Sequence, residues 1–141
     1  KGIYSGAAIE LPSGEIVTGY NSPLLQATSS LVLNAIKKLA GIPQDIDLLP
    51  PFVLTSLINF KETILNGAPL SLDLEETLIS LAIGAAANPS AGAAILKLKE
   101  LSGCEVHLTH IPTPGDAAGL RKLGLNTTSD PDFSSKALFI G

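Results

Sequence analysis

The sequence predicts an α/β fold: a mixed β-sheet flanked by helices in a three-layer sandwich. Three observations lead there. Short β-prone runs stand near both ends of the chain, helical periodicity fills the middle, and glycine, proline and asparagine punctuate the junctions. The 141 residues suit one compact α/β domain, and 45% hydrophobic against 16% charged residues excludes disorder.

Ile3 to Leu11 and Glu15 to Tyr20 read as a hairpin turned by Pro12-Ser13-Gly14. Gly6 and Gly19 inside these runs point to a close backbone approach or a bulge. Asn21-Ser22-Pro23 should stop the strand and start a helix, with Asn21 or Ser22 as cap and Pro23 at its first position. Apolar residues from Leu24 to Leu39 then recur at helical spacing until Gly41. Pro50-Pro51 opens a second helix, Phe52 to about Leu65, closed by Asn66-Gly67. Asp73 and Glu76 form a capping-box pair for a third, which should run to Ala87. Ser90 is expected to cap a fourth, ending at Leu101-Ser102-Gly103. Cys104 to His110 reads as a strand, Ala117 to Leu123 as a short helix ending at Gly124, and Leu125 to Thr128 and Lys136 to Ile140 as final strands.

Several chemistries are excluded. Nine Lys+Arg against thirteen Asp+Glu leave a net charge of -4, which provides no electrostatic footprint for nucleic acid. A lone cysteine rules out a disulfide framework. No apolar run reaches the ~18–20 residues of a membrane span, and no signal-peptide pattern opens the chain. With no methionine at all, the chain is expected to be a cytoplasmic piece of a longer protein. His107 and His110 point to opposite faces of a strand, and six residues at about 3.3 Å each put Cys104 roughly 20 Å from His110. Neither pair can hold one metal ion. His107 reads as a surface or edge histidine, and Cys104 as a small core residue. Neither a phosphate-binding glycine loop nor a nucleophile elbow is present, and no cofactor is expected.

One segment carries a functional expectation. Residues 109–116 join the carboxyl end of a strand to the amino end of a helix, the edge where open α/β sheets gather ligands. Gly115 would admit a close approach, the first helical amides favour an anion, and His110 and Thr113 could donate hydrogen bonds. Arg121 lies further along that helix. Asp116 is itself a good cap and would compete for those amides. The Asn21-Ser22 corner is a second candidate. Side by side, the two corners would form one cleft for a small polar or anionic ligand, such as a nucleotide or phosphorylated metabolite. The rival expectation is a structural or oligomerisation module with no ligand of its own. The Ala/Gly-rich helices between Ile79 and Leu96 would then pack against a partner chain, giving a homo-oligomer.

Tyr4 to Leu11, Ile16 to Gly19, Asn21 to Leu24, Leu31 to Lys37, Ser71 to Leu78 and Gly103 to Asp116 resemble the bacterial family known as domain of unknown function 1846. The resemblance implies the carboxyl-terminal part of a chain several times longer, with the amino-terminal part of that chain as a partner. It brings no established activity and no catalytic residues. The opening hairpin and helix are also similar in shape to the cytidine-deaminase-like fold. Those enzymes carry a His or Cys followed by Glu at the helix start and a P-C-x-x-C on a later helix. Here the helix opening contains Gln26-Ala27-Thr28 and there is no second cysteine, so the zinc site cannot be assembled.

Overall fold

The computed structural model describes residues 5–67 and 70–131. Strands β1 (Gly6–Glu10) and β2 (Ile16–Tyr20) form the hairpin, followed by helices α1 (Ala27–Ala40) and α2 (Pro51–Phe60). A π-helical turn, Lys61–Leu65, extends α2. Next come α3 (Leu74–Ala85), α4 (Pro89–Ile95) with a 3-10 extension over Leu96–Leu101, β3 (Glu105–Leu108), α5 (Pro114–Lys122) and β4 (Asn126–Ser129). The anticipated strand over Lys136 to Ile140 lies outside the described residues.

The sheet order is β2-β1-β3-β4, with β1 antiparallel to both neighbours and β3 parallel to β4. This is the expected mixed α/β sheet. Alternation decides which face is covered. Ala7 and Ile9 pair with Leu108 and Val106 on the buried side, against Leu31, Val32, Ala35 and Ile36 of α1. Each leucine, isoleucine or valine side chain so removed from water contributes about 1.5–3 kcal/mol, and the alanines less. Glu105 and His107 face the other way and are exposed, so among the described residues the helices form one layer on the sheet rather than two. Gly19 is required by packing: a Cβ there would collide with the backbone of Leu31, so α1 rests directly on β2.

Three helix starts differ from the sequence reading. Asn21-Ser22-Pro23 does not open α1, because Leu25 instead forms a parallel bridge with Leu72. The chain bends at Pro23 and Leu24, where the Ser22 amide donates to Leu25 O at 2.8 Å, and Ala27 is the first helical residue. Ser90 does not cap α4. Asn88 does, accepting from the amides of Ser90 and Ala91, which places Pro89 at the first helical position. Helix α5 begins at Pro114 with Thr113 as its cap, earlier than Ala117. The capping box of α3 is present as expected.

Candidate functional site

The two corners singled out in the sequence share one edge of the sheet. Because β1 is antiparallel to both β2 and β3, the ends of β2 and β3 lie where β1 begins, one strand apart and so about 10 Å from each other. Backbone and side-chain bonds cross that gap. The Ser5 amide donates to Asn21 Oδ1 at 2.8 Å, and the Gly6 amide to Thr109 Oγ1 at 2.8 Å. The Thr113 hydroxyl donates to Gln26 Oε1 at 3.2 Å, linking the start of α5 to the start of α1. Ser22 stays outside this network, exposed and accepting from the amides of Leu24 and Leu25.

The amino end of α5 is filled by the chain itself. Thr113 Oγ1 accepts from the Asp116 amide at 3.3 Å, and Thr113 O from the Ala117 amide at 2.8 Å. Asp116 therefore does not cap its own helix, as its position suggested. Its carboxylate instead crosses to α3, where Oδ1 accepts from the Leu74 amide at 2.8 Å. Asp73 makes the opposite crossing. While its Oδ1 accepts from the Glu76 amide at 2.9 Å, the carboxylate lies against Gly115, where a Cβ would collide with it. Gly115 does admit a close approach, and Asp73 is the group that makes it. Lys61 stands behind, donating to Glu76 Oε1 at 2.9 Å and Ser71 O at 3.1 Å.

Burial sets the electrostatics here. Asp116 is fully buried, and desolvation pushes its carboxyl up to about 6, despite the opposing Leu74 amide bond. The Asp73 charge raises it further. The hydroxyls of Thr28 and Thr113 lie close enough to lower it, although neither makes a well-aligned bond to Oδ2. Burial also raises Asp73, and it lowers the imidazole of His110. His110 is 3% exposed and its Nδ1 has no hydrogen-bond partner, nor have Thr28 Oγ1 and Asp116 Oδ2. Arg121 lines a hollow of about 430 Å³ beside β4, together with Pro112, Ala117 and Leu120.

Thr113, Gly115 and Asp116 are thus brought together. Asn21 is bonded to Ser5 at the same edge of the sheet, and the side chains of His110 and Ser22 stand apart from the hydrogen-bonded cluster. Gln26, Thr28 and Asp73 belong to the cluster and were not singled out as site residues. The capping box marked Asp73, but nothing in the sequence says that α3 and α5 meet end to end. His107 is a surface histidine as expected, contacting Thr128 Oγ1 at 2.8 Å and Asp130 Oδ1 at 3.3 Å. Cys104 is buried, and burial pushes its thiol up. Among the described residues no group of three His, Cys, Asp or Glu is placed to hold a metal ion.

Fold and cluster together define a mixed-sheet α/β unit whose helix ends are tied to one another by the chain's own side chains. Its family follows from comparison with known sequences. Residues 2–139 match the family model described as Domain of unknown function DUF1846, C-terminal, and the chain belongs to that family. It is 39% identical over 137 residues to a UPF0371 protein of Clostridium tetani (strain Massachusetts / E88), covering 97% of this chain and 27% of that relative. A UPF0371 protein of Fusobacterium nucleatum is 42% identical over 135 residues, 96% of this chain and 27% of its own length. A third, from Clostridium botulinum (strain Eklund 17B / Type B), is 42% identical over 132 residues, 94% of this chain and 26% of its own. The chain spans about a quarter of the length of these bacterial relatives. No helix among the described residues is long and apolar enough to cross a membrane.

Proposed function

We propose that this segment serves as a packing module of a longer bacterial protein, without a ligand of its own at the 109–116 corner. The observation that carries this reading is the occupancy of that corner. The Thr113 hydroxyl and the Asp73 carboxylate take the space and the amide that an anion would need, and two carboxylates within the cluster repel a phosphate. The other reading keeps a small polar or anionic ligand around His110, Thr113, Gly115 and Asp116, with Asn21 and Ser22 at the rim. In its favour stand the buried, unpartnered atoms of His110, Thr28 and Asp116, which a small polar molecule would satisfy.

Titration of the full-length protein with inorganic phosphate, nucleotides and sugar phosphates separates the two, read by calorimetry on wild type, His110→Ala and Asp116→Ala. The packing reading expects no heat that depends on either residue. Saturable binding abolished by both substitutions would overturn it.

A further inference from the structure

Exposed apolar side chains are concentrated in one part of the chain. Of the ten large hydrophobics exposed among the described residues, eight fall between Ile46 and Leu96, in the helical insertion between β2 and β3. Helix α2 is the extreme case. It has no charged residue, only Leu54 is buried, and Phe52 is 72% exposed. Its π-helical extension adds Ile64 at 64%. On α3, Ile79 and Ile83 sit four residues apart on one helix face, at 63% and 74% exposed.

A scattering of single exposed apolar residues is ordinary, but an uncharged helix with one fully buried side chain, and only Leu57 and Ile58 partly packed on the core beside it, is not. Of the small residues of this region, Ala91 and Ala94 are fully buried and Gly92 lies against the carbonyl of Ala85, whereas Ala82, Ala86, Ala87 and Ala93 are exposed. The exposed bulky residues offer a partner the larger apolar side chains. The family supplies the obvious one, since the relatives run to about four times the length of this segment.

We infer that the outer surface of α2, its π-helical turn and the Ile79–Ile83 face of α3 form the surface on which the remainder of the full-length chain docks. The inference rests on the packing reading above and names its partner. The bulky exposed side chains of this surface are aromatic and branched aliphatic, with Glu62 an exposed charge on the π-helical turn; they call for a largely apolar counterpart, and one tethered in the same chain meets it at high effective concentration.

Photo-crosslinking of the full-length protein tests this, with benzoylphenylalanine at position 52 or 83, and at the exposed turn position 13 as control. A mixture of isotopically light and heavy protein distinguishes contacts within a chain from contacts between chains. The expected result is crosslinking from 52 and 83 to residues outside this segment in the same chain, at several-fold the yield from 13. Crosslinks that mix light and heavy chains would overturn the inference in favour of a second copy, and yields no higher than at 13 would overturn it outright. The phosphate and nucleotide titrations read the corner and not this face. A ligand found there alongside same-chain crosslinks sinks the packing reading alone, whereas silent titrations with no crosslinks sink the docking face.

Discussion

Asp116→Asn probes the cluster with almost no change of shape. In the wild type the buried carboxyl keeps its proton up to about pH 6, against an ordinary value of 3.8. Between those values the folded state holds more protons than the unfolded chain, so this group's contribution to stability falls as pH rises. At 1.36 kcal/mol per pH unit the loss reaches about 3 kcal/mol above pH 6. An asparagine is neutral throughout, and its Oδ1 can still accept from the Leu74 amide. The variant should match the wild type near pH 4 and exceed it by up to about 3 kcal/mol at pH 8, a ceiling set by complete desolvation of the charge. His110 works in the opposite sense. Its lowered value makes the folded state lose stability as pH falls below 6.5, but it does so in both proteins and cancels from their difference. Asp73 cancels less completely, because the Asp116 charge is beside it. Urea unfolding followed by circular dichroism from pH 4 to 8 provides the measurement. A wild type that gains on Asp116→Asn as pH rises would refute the reasoning, because Asp116 would then be stabilised as an anion.

The same crossing makes Gly115 intolerant. Gly115→Ala drives a methyl group into Asp73 and should cost about 1–3 kcal/mol, read as a fall in Tm. Gly84→Ala, in α3 with nothing near the added methyl, should instead stabilise by roughly 0.5–1 kcal/mol. Lys37 is 7% exposed and donates to Gln44 O and Ile46 O, both at 2.9 Å. Lys37→Met should cost about 1 kcal/mol and release the 42–48 loop to faster hydrogen exchange.

The secondary elements were legible because their signals are local. The hairpin turn, the glycine and asparagine stops, the Asp73–Glu76 box and the alternation that buries Val106 and exposes His107 are each read within a few residues. Helix starts were misread where a tertiary bond outcompeted a local cap. Ser22 has the chemistry of a cap and accepts from the amides of Leu24 and Leu25, yet it closes only a bend, because Leu25 pairs with Leu72 before the helix starts. Asp116 is the clearest case. Its position in the first turn of α5 suits it for capping that helix, but Thr113 already does so, which frees the carboxylate to reach Leu74, 42 residues away in sequence. No periodicity encodes such a meeting. The candidate site was legible as a place, two corners on one edge of the sheet, and illegible as an environment, because its burial depends on an insertion whose path no local pattern specifies.

The exchange of carboxylates between α3 and α5 has a mechanical consequence. Each helix begins with amides that its own turns cannot satisfy, and burying them bare would cost about 1–3 kcal/mol apiece. Asp116 covers one on α3, and Asp73 occupies the close approach at Gly115 that brings the two ends together. Gln26 adds the start of α1 through Thr113 and, through its backbone, Leu72. Three helices are thereby pinned at one end, next to the sheet edge, by polar contacts that tolerate little displacement. Helix α2, by contrast, is attached through Leu54, the partly buried Leu57 and Ile58, and the Lys61 bonds to Ser71 and Glu76. A polar anchor on one side and a helix with exposed apolar side chains on the other fit the proposal of a unit that completes its hydrophobic packing against a neighbour. A ligand at the anchor would have to break the contacts that hold the helices in register, whereas a partner on α2 would disturb none of them.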